Sequence, residues 1–160
     1  MRDVLIQPPL RLVLTWNGDQ VCQAEVGWAG GFTEKDSLRE SPYAGEAADF
    51  FRAYVRGEPS SPAGIPLAWK RVRSFAGEVL FALQRQVPHG EWISYSGLAG
   101  LCGAPGGARA VGRVMSGNPW PLLVPCHRVL RKDGGIGGFS SGIELKRCLL
   151  RIEGVFPGRE

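Results

Sequence analysis

Metal-binding side chains are sparse in this chain of 160 residues. It has 2 histidines, His89 and His127, and 4 cysteines, Cys22, Cys102, Cys126 and Cys148, none in a C-x-x-C spacing. A structural zinc site needs such ligands converging on one point, so no metal is expected. No apolar run is long enough to span a bilayer. The first residues lack the basic start and long apolar stretch of a secretion signal. The expectation is a cytoplasmic chain with reduced thiols and no membrane partner, with pairing among Cys22, Cys102 and Cys148 left open. The chain carries no internal repeat.

What remains is an ordinary globular composition, 44% apolar, long enough for one domain or two small ones sharing a core. The net charge of +4 is unevenly spread. Residues 1–65 hold 6 Lys/Arg against 9 Asp/Glu, and residues 66–160 hold 13 against 6. The basic half points to a polyanion partner, or equally to a solvated surface with chance asymmetry.

Leu10 to Trp16 is apolar and β-prone, Val21 to Trp28 alternates weakly, and Asn17-Gly-Asp-Gln20 between them is a hairpin signal. Ala47, Phe50, Phe51 and Tyr54 follow helical spacing and stop at Gly57. Glu58-Pro-Ser-Ser-Pro-Ala-Gly64 reads as a linker, which divides the chain into 1–66 and 67–160. Val72, Phe75, Val79 and Leu83 predict a helix ending before Pro88. Short helices follow from about Ser94 to Leu101 and from about Gly107 to Ser116, around a Gly/Pro-containing turn, an arrangement like a helix-turn-helix. Ser141-Gly-Ile-Glu144 fits a capping box opening a helix with Leu145, Cys148, Leu149 and Ile152 on one face and Gly154 as its stop.

Two stretches carry candidate chemistry. In Gly106-Gly-Ala-Arg-Ala-Val-Gly-Arg113, small residues alternate with Arg109 and Arg113, which lie four apart on one helical face. This describes a slim helix pressed into a nucleic-acid groove, or one packed against another helix with its arginines in solvent. In Pro125-Cys-His-Arg-Val129, a cysteine stands beside a histidine. A thiolate is the nucleophile and an imidazole can take its proton. On an extended segment the two side chains point to opposite faces, so a bridging water or a turn has to connect them. Glu153, near the end of the last helix where carboxylates are disfavoured, is the candidate that orients the imidazole. The plain alternatives are a buried small hydrophobe, a satisfied core histidine and a solvated glutamate; a cysteine hydrolase is another chemistry open to such a pair.

These motifs, with Ile93-Ser-Tyr95, Asn118-Pro-x-Pro121, Gly137-Gly-Phe-Ser140 and Lys146-x-x-Leu-Leu-x-x-Glu-Gly154 in this order, resemble the O6-alkylguanine-DNA alkyltransferases. The resemblance runs from about Phe75 to Val155. It implies an α/β (α+β) fold: a small N-terminal antiparallel sheet with a helix, RNase H-like, followed by a mostly helical domain with a helix-turn-helix. It also implies direct-reversal repair by a monomer acting on double-stranded DNA that contains O6-alkylguanine, without a cofactor. Cys126 takes the alkyl group irreversibly, once per molecule. His127 deprotonates Cys126 through a water, Glu153 orients His127, Asn118 braces the turn leading to the cysteine, and Tyr95 hydrogen-bonds the leaving guanine. Arg109 fills the space of the flipped nucleotide, while Gly107, Ala108, Ala110 and Gly112 let the helix enter the minor groove. Met115, Pro121, Val129, Phe139, Ser140 and Ser141 form the pocket, with backbone groups of Cys126, Val129 and Ser140 on the base.

The chain departs from the family pattern in places. Phe139 stands where tyrosine is common, Ser141 where glycine is common, and Phe75-Ala-Gly-Glu-Val-Leu80 replaces a Phe-Gln-x-x-Val-Trp run. Trp120 is expected near the pocket mouth, and Arg128 as a brace between the two halves. Relatives that bind zinc use N-terminal Cys and His, and here no histidine precedes His89. The alternative within the superfamily is a non-catalytic sensor of alkylated bases that recruits other repair factors; its members lack the cysteine that Cys126 supplies.

Overall fold

The computed structural model describes residues 1–72 and 74–158. Three antiparallel strands open the chain in the order β1 (Arg2–Gln7), β2 (Leu10–Asn17), β3 (Gln20–Trp28). Along β2 the alternation of Leu10, Leu12, Leu14 and Trp16 turns one face inward, and all four are buried. The β2–β3 turn is the expected one, with Gly18 at φ 61 supplying the left-handed residue that a tight hairpin needs. Strand β1 is not visible in the sequence pattern, because its apolar core is flanked by Arg2 and Asp3. Its anchor is long-range. The buried Asp3 carboxylate accepts from Trp16 Nε1 at 2.9 Å, from the Glu40 and Ser41 backbone N–H groups at 2.7 and 3.0 Å, and from the Ser41 hydroxyl. Those bonds lead the chain into α1 (Ala44–Val55), whose Ala47, Phe50, Phe51 and Tyr54 are buried as their spacing predicts.

No helix or strand is formed across 58–66. After it come α2 (Ser74–Gln86), β4 (Ile93–Ser94), α3 (Tyr95–Leu101), α4 (Ala108–Ser116), β5 (Val129–Leu130) and α5 (Ile143–Ile152). Helix α2 begins after Val72, which ends a preceding 3-10 turn. Ser94 caps α3, its hydroxyl accepting from the Gly97 N–H at 2.9 Å. On α4, Val111 and Met115 are one turn apart and buried, while Arg109 and Arg113 are exposed. The expected capping box on α5 does not form. Gly142, at φ 98, is the cap residue and makes no side-chain bond. Its N–H is already turned back onto Phe139 C=O at 3.0 Å, which leaves Ser141 exposed before the helix rather than at its end.

Two features bring the parts together. The short parallel pair β4·β5 matches Ile93 with Val129 and Ser94 with Leu130, which sets the first residue of α3, Tyr95, beside the Cys126 segment. The free edge of β3 docks on the end of the linker and on the C-terminal half. Val21 and Ala24 donate to Pro66 and Pro119 carbonyls at 2.8 Å each, and Trp120 Nε1 donates to Val21 C=O at 2.9 Å. Trp120 is therefore no part of a pocket mouth. It is fully buried against Trp69, ring centroids 4.9 Å apart, because its one donor finds a sheet carbonyl and its rings find an apolar wall. A single cluster of buried side chains runs from Leu5 through Phe51 and Val79 to Leu149, so the sheet and the helices share one core. No helix among the described residues is long and apolar enough to cross a membrane.

Candidate active site

The Cys126 segment is not extended. Cys126–Arg128 forms one 3-10 turn, entered from Pro125 and leaving directly into β5. Asn118 ties this turn to the end of α4. Its amide Nδ2 donates to Val124 C=O at 2.9 Å, and its Oδ1 accepts from Trp120 N–H at 3.0 Å. Both bonds close a loop of few residues, so the distance between α4 and the cysteine is fixed.

Cys126 is 5% exposed. Burial pushes its thiol up, while the Asn118 amide, the Lys146 charge and the backbone N–H groups of residues 126 and 127 pull the other way. Burial prevails, so the resting side chain is a thiol that needs a base. The neighbouring His127 is wholly buried, and its Nε2 lies 2.6 Å from Glu153 Oε1. A carboxylate only accepts, so Nε2 carries the hydrogen and Nδ1 keeps its lone pair. Nδ1 has no hydrogen-bond partner among the described residues. Desolvation holds His127 below its ordinary value, against the pull of Glu153, and the imidazole is neutral and able to accept a proton.

Glu153 sits at the end of α5 with its side chain fully enclosed. Burial alone pushes a carboxyl up, but bonds and charge from His127 and Arg128 hold Glu153 well below the usual carboxylate range. The Arg128 contribution does not depend on the protonation of the imidazole. Arg128 Nε donates to Oε2 at 2.8 Å and its Nη2 to Oε1 at 3.1 Å, and Nη1 is spent on Val87 C=O at 2.7 Å. The expected partner of Arg128 across the two halves is thus replaced by a partner within the C-terminal half. The contact across the halves onto Glu153 is made by Tyr54 of α1, which the sequence marks only as a core position. Its hydroxyl donates to Glu153 Oε1 at 2.9 Å.

Lys146 is a second group that the residue-by-residue reading does not single out. It is fully buried on α5, its Nζ donating to Val129 C=O at 2.7 Å and Gly138 C=O at 3.1 Å. Desolvation lowers its pKa to about 8, and Nζ lies 5.9 Å from the centroid of the Tyr95 ring. A lysine within an otherwise apolar helix stripe is the signal that marks it.

In front of Cys126 opens a cavity of about 660 Å³ lined by Tyr95, Arg109, Gly112, Arg113, Met115, Ser116, Cys126, Gly138, Phe139 and Ser140. It brings together the sulfur, the phenol, the α4 face and three of the six expected pocket residues. Tyr95 is half-buried, and burial pushes its phenol up, with a further push once Cys126 is ionised, so it remains a donor. Pro121 and Ser141 line a neighbouring groove against β3, with Ser140 shared between the two. Val129 is buried beneath, its carbonyl engaged by Lys146. Gly107, Ala108 and Ala110 lie on α4 or its cap and outside the cavity lining. The two glycines differ. A Cβ on Gly107 meets Ala104 C=O at 2.8 Å, whereas a Cβ on Gly112 meets nothing within 4 Å. Gly107 serves packing inside the protein; Gly112 leaves space outside it.

Among the described residues, all four cysteines are free and no cluster of three or more His, Cys, Asp or Glu side chains could hold a metal ion.

Residues 74–155 match the family model of the 6-O-methylguanine DNA methyltransferase DNA-binding domain. A mouse methylated-DNA–protein-cysteine methyltransferase is 44% identical over 116 residues, covering 69% of this chain and 54% of that protein. A Mycobacterium tuberculosis OGT, solved in complex with DNA, superimposes with a TM-score of 0.74 at 30% identity, covering 96% of this chain and 92% of that one. An O6-methylguanine-DNA methyltransferase from Pyrococcus kodakaraensis gives a TM-score of 0.74 at 27% identity over 97% of this chain and all of that one. The matched region spans about half the length of the mouse and rat relatives.

Proposed function

Because the chain belongs to the 6-O-methylguanine DNA methyltransferase family, we propose that it repairs DNA by direct reversal, moving the alkyl group from O6-alkylguanine to Cys126. The observation that carries this reading is the shared cavity. One space is walled by the only half of the molecule with excess positive charge, by the exposed arginine face of α4 and by the sulfur. The relative solved on DNA supports a DNA substrate.

On this reading His127 Nδ1 takes the Cys126 proton through a water, and Glu153, held in place by Arg128, stabilises the imidazolium that forms. The thiolate attacks the alkyl carbon in line, an S–C bond forms and the C–O6 bond breaks. Tyr95 donates its phenol proton to the departing guanine, and Lys146 beside the Tyr95 ring favours the negative charges that arise on sulfur and phenol oxygen. The thioether has no leaving group, so each molecule acts once and needs no cofactor. A base inside the duplex stack cannot reach the cavity, so the nucleotide is flipped with Arg109 in its place. Gly112, Ala108 and Ala110 keep α4 slim enough for the minor groove. The acting unit on this reading is a monomer on double-stranded DNA.

The test is a duplex carrying O6-methylguanine with a labelled methyl group. The label moves to the wild-type protein and not to Cys126→Ala. Tight binding without label transfer instead identifies a sensor of alkylated bases, and repeated turnover of an ester substrate a hydrolase; either result overturns the proposal.

A further inference from the structure

We propose that Tyr54 is a positioning residue of the thiol relay, through which helix α1 of the N-terminal half holds Glu153 against the Nε2-protonated form of His127. The proposal rests on the alkyl-transfer reading above and assigns the N-terminal half a part in it.

The geometry around Tyr54 turns on one proton. The Tyr54 hydroxyl is 1% exposed as a residue and lies within hydrogen-bonding distance of Glu153 Oε1 at 2.9 Å, His127 Nε2 at 3.3 Å and Leu149 C=O at 3.3 Å. It has a single hydrogen to give. The shortest of the three contacts is to a carboxylate, and charge-assisted bonds are the strong ones, so the hydrogen goes to Glu153. The Tyr54 oxygen then faces Nε2 as an acceptor only. Nε2 is therefore bordered by two acceptors, Glu153 Oε1 and Tyr54 Oη, and the imidazole hydrogen is confined to that nitrogen. Its lone pair is confined to Nδ1, the nitrogen with no protein partner. Burial and the nearby Glu153 charge push the Tyr54 phenol well up, so it stays a donor across the working range of the site.

The charges around the imidazole give the direction of the effect. Glu153 faces it from the end of α5, Arg128 from its own turn, Lys146 from within α5, and Tyr54 from α1, with His89 packed edge-on to the other side of the Tyr54 ring at 6.0 Å between centroids. Glu153 is the only negative charge in the set and the group that most favours a protonated imidazole. Tyr54 and Arg128 both donate to the oxygen that faces His127. They spread its charge and weaken its hold on a second imidazole proton. Removing the hydroxyl concentrates that charge on His127, favours the imidazolium and takes base from the thiol at the acid side.

Single-turnover methyl transfer from a saturating O6-methylguanine duplex, measured across the neutral range for the wild type and for Tyr54→Phe, tests this. The expected result is an acid limb of the rate–pH profile displaced to higher pH. On that limb the Tyr54→Phe rate is about threefold lower, relative to its own plateau, than that of the wild type. A residue that only fills the core lowers the melting temperature and leaves the limb where it was, and superimposable limbs overturn the proposal whatever happens to stability. If Tyr54→Phe does not stay folded in the assay, 3-fluorotyrosine at position 54 keeps the volume and donates more strongly. The limb then moves to lower pH, and an unmoved limb again overturns the proposal. A wild-type protein that takes no methyl group rejects the alkyl-transfer reading itself.

Discussion

The interior around Glu153 and the exposed face of α4 both present arginine to the same active site, under opposite physical conditions. Arg128 is buried with its donors committed to Glu153 and Val87, whereas Arg109 is exposed at the rim of the cavity. In the interior every group is tied to several others, so stability and chemistry are lost together. On the helix face Arg109 and Arg113 are exposed, so the proposed action on DNA is separable from folding. Order is concentrated around the proton relay and away from the exposed face of α4.

The largest effect is expected from a substitution in the interior. Glu153→Ala strands the buried Arg128 guanidinium and is expected to cost about 3–5 kcal/mol, the usual consequence of removing one partner of a buried ion pair. Urea unfolding measures it, and a loss under about 1 kcal/mol means the pair is solvated in solution. The same cluster makes stability pH-dependent. His127 is held below its ordinary value of 6.5 and Glu153 below the carboxylate range. Both therefore bind protons more readily in the unfolded chain, and stability is lost as pH falls. The decline in melting temperature begins as pH drops past the ordinary histidine value and steepens through the carboxylate range. A profile flat across both ranges contradicts the buried, charged geometry.

On the surface, Arg109→Ala is expected to leave the melting temperature unchanged and to lower the rate on duplex DNA about tenfold or more, a part of the few kcal/mol that unstacking a base requires. Its rate with free O6-benzylguanine stays near that of the wild type, and equal losses on both substrates remove the reason for an arginine in the stack. The smallest effect is also the most specific. Gly112→Ala fills open space on a helix and is expected to stabilise the fold by about 0.5–1 kcal/mol while weakening duplex binding about threefold. Gly107→Ala, which meets Ala104 C=O, destabilises instead, by roughly 1 kcal/mol. Calorimetry and a titration of each variant with duplex decide between the two glycines; tighter binding by Gly112→Ala means α4 does not enter a groove.

How much of this was legible in the sequence follows from the range of the interactions. Helical and alternating periodicity marks β2, β3, α1 and the two short helices around the turn, because it reports burial on one face. Pro125–Val129 and Glu153 are marked by chemistry at unusual positions: a thiol beside an imidazole, and a carboxylate at a helix end. Periodicity is silent on contacts made by a polar atom at the tip of a buried side chain. Tyr54 fits the apolar stripe of α1, and nothing in the stripe says that its hydroxyl ends on Glu153, 99 residues away. Trp120 reads as a pocket residue for the same reason, until a carbonyl of β3 claims its indole N–H. Strand β1 is hidden by Asp3, whose partners Trp16, Glu40 and Ser41 come from later segments. The capping box at Ser141 is outweighed by the Phe139–Gly142 turn, a choice between two local bonds that composition does not decide.

On the proposed function, Cys126 ends the reaction carrying the alkyl group. Intact-protein mass after mixing with an excess of O6-methylguanine duplex, followed by mapping of the peptide around Cys126, addresses it directly. The account predicts a gain of one methylene unit per molecule, confined to Cys126 and unchanged by further duplex. An unmodified mass with the lesion still in the DNA, or a methyl group on Cys22, Cys102 or Cys148, contradicts it.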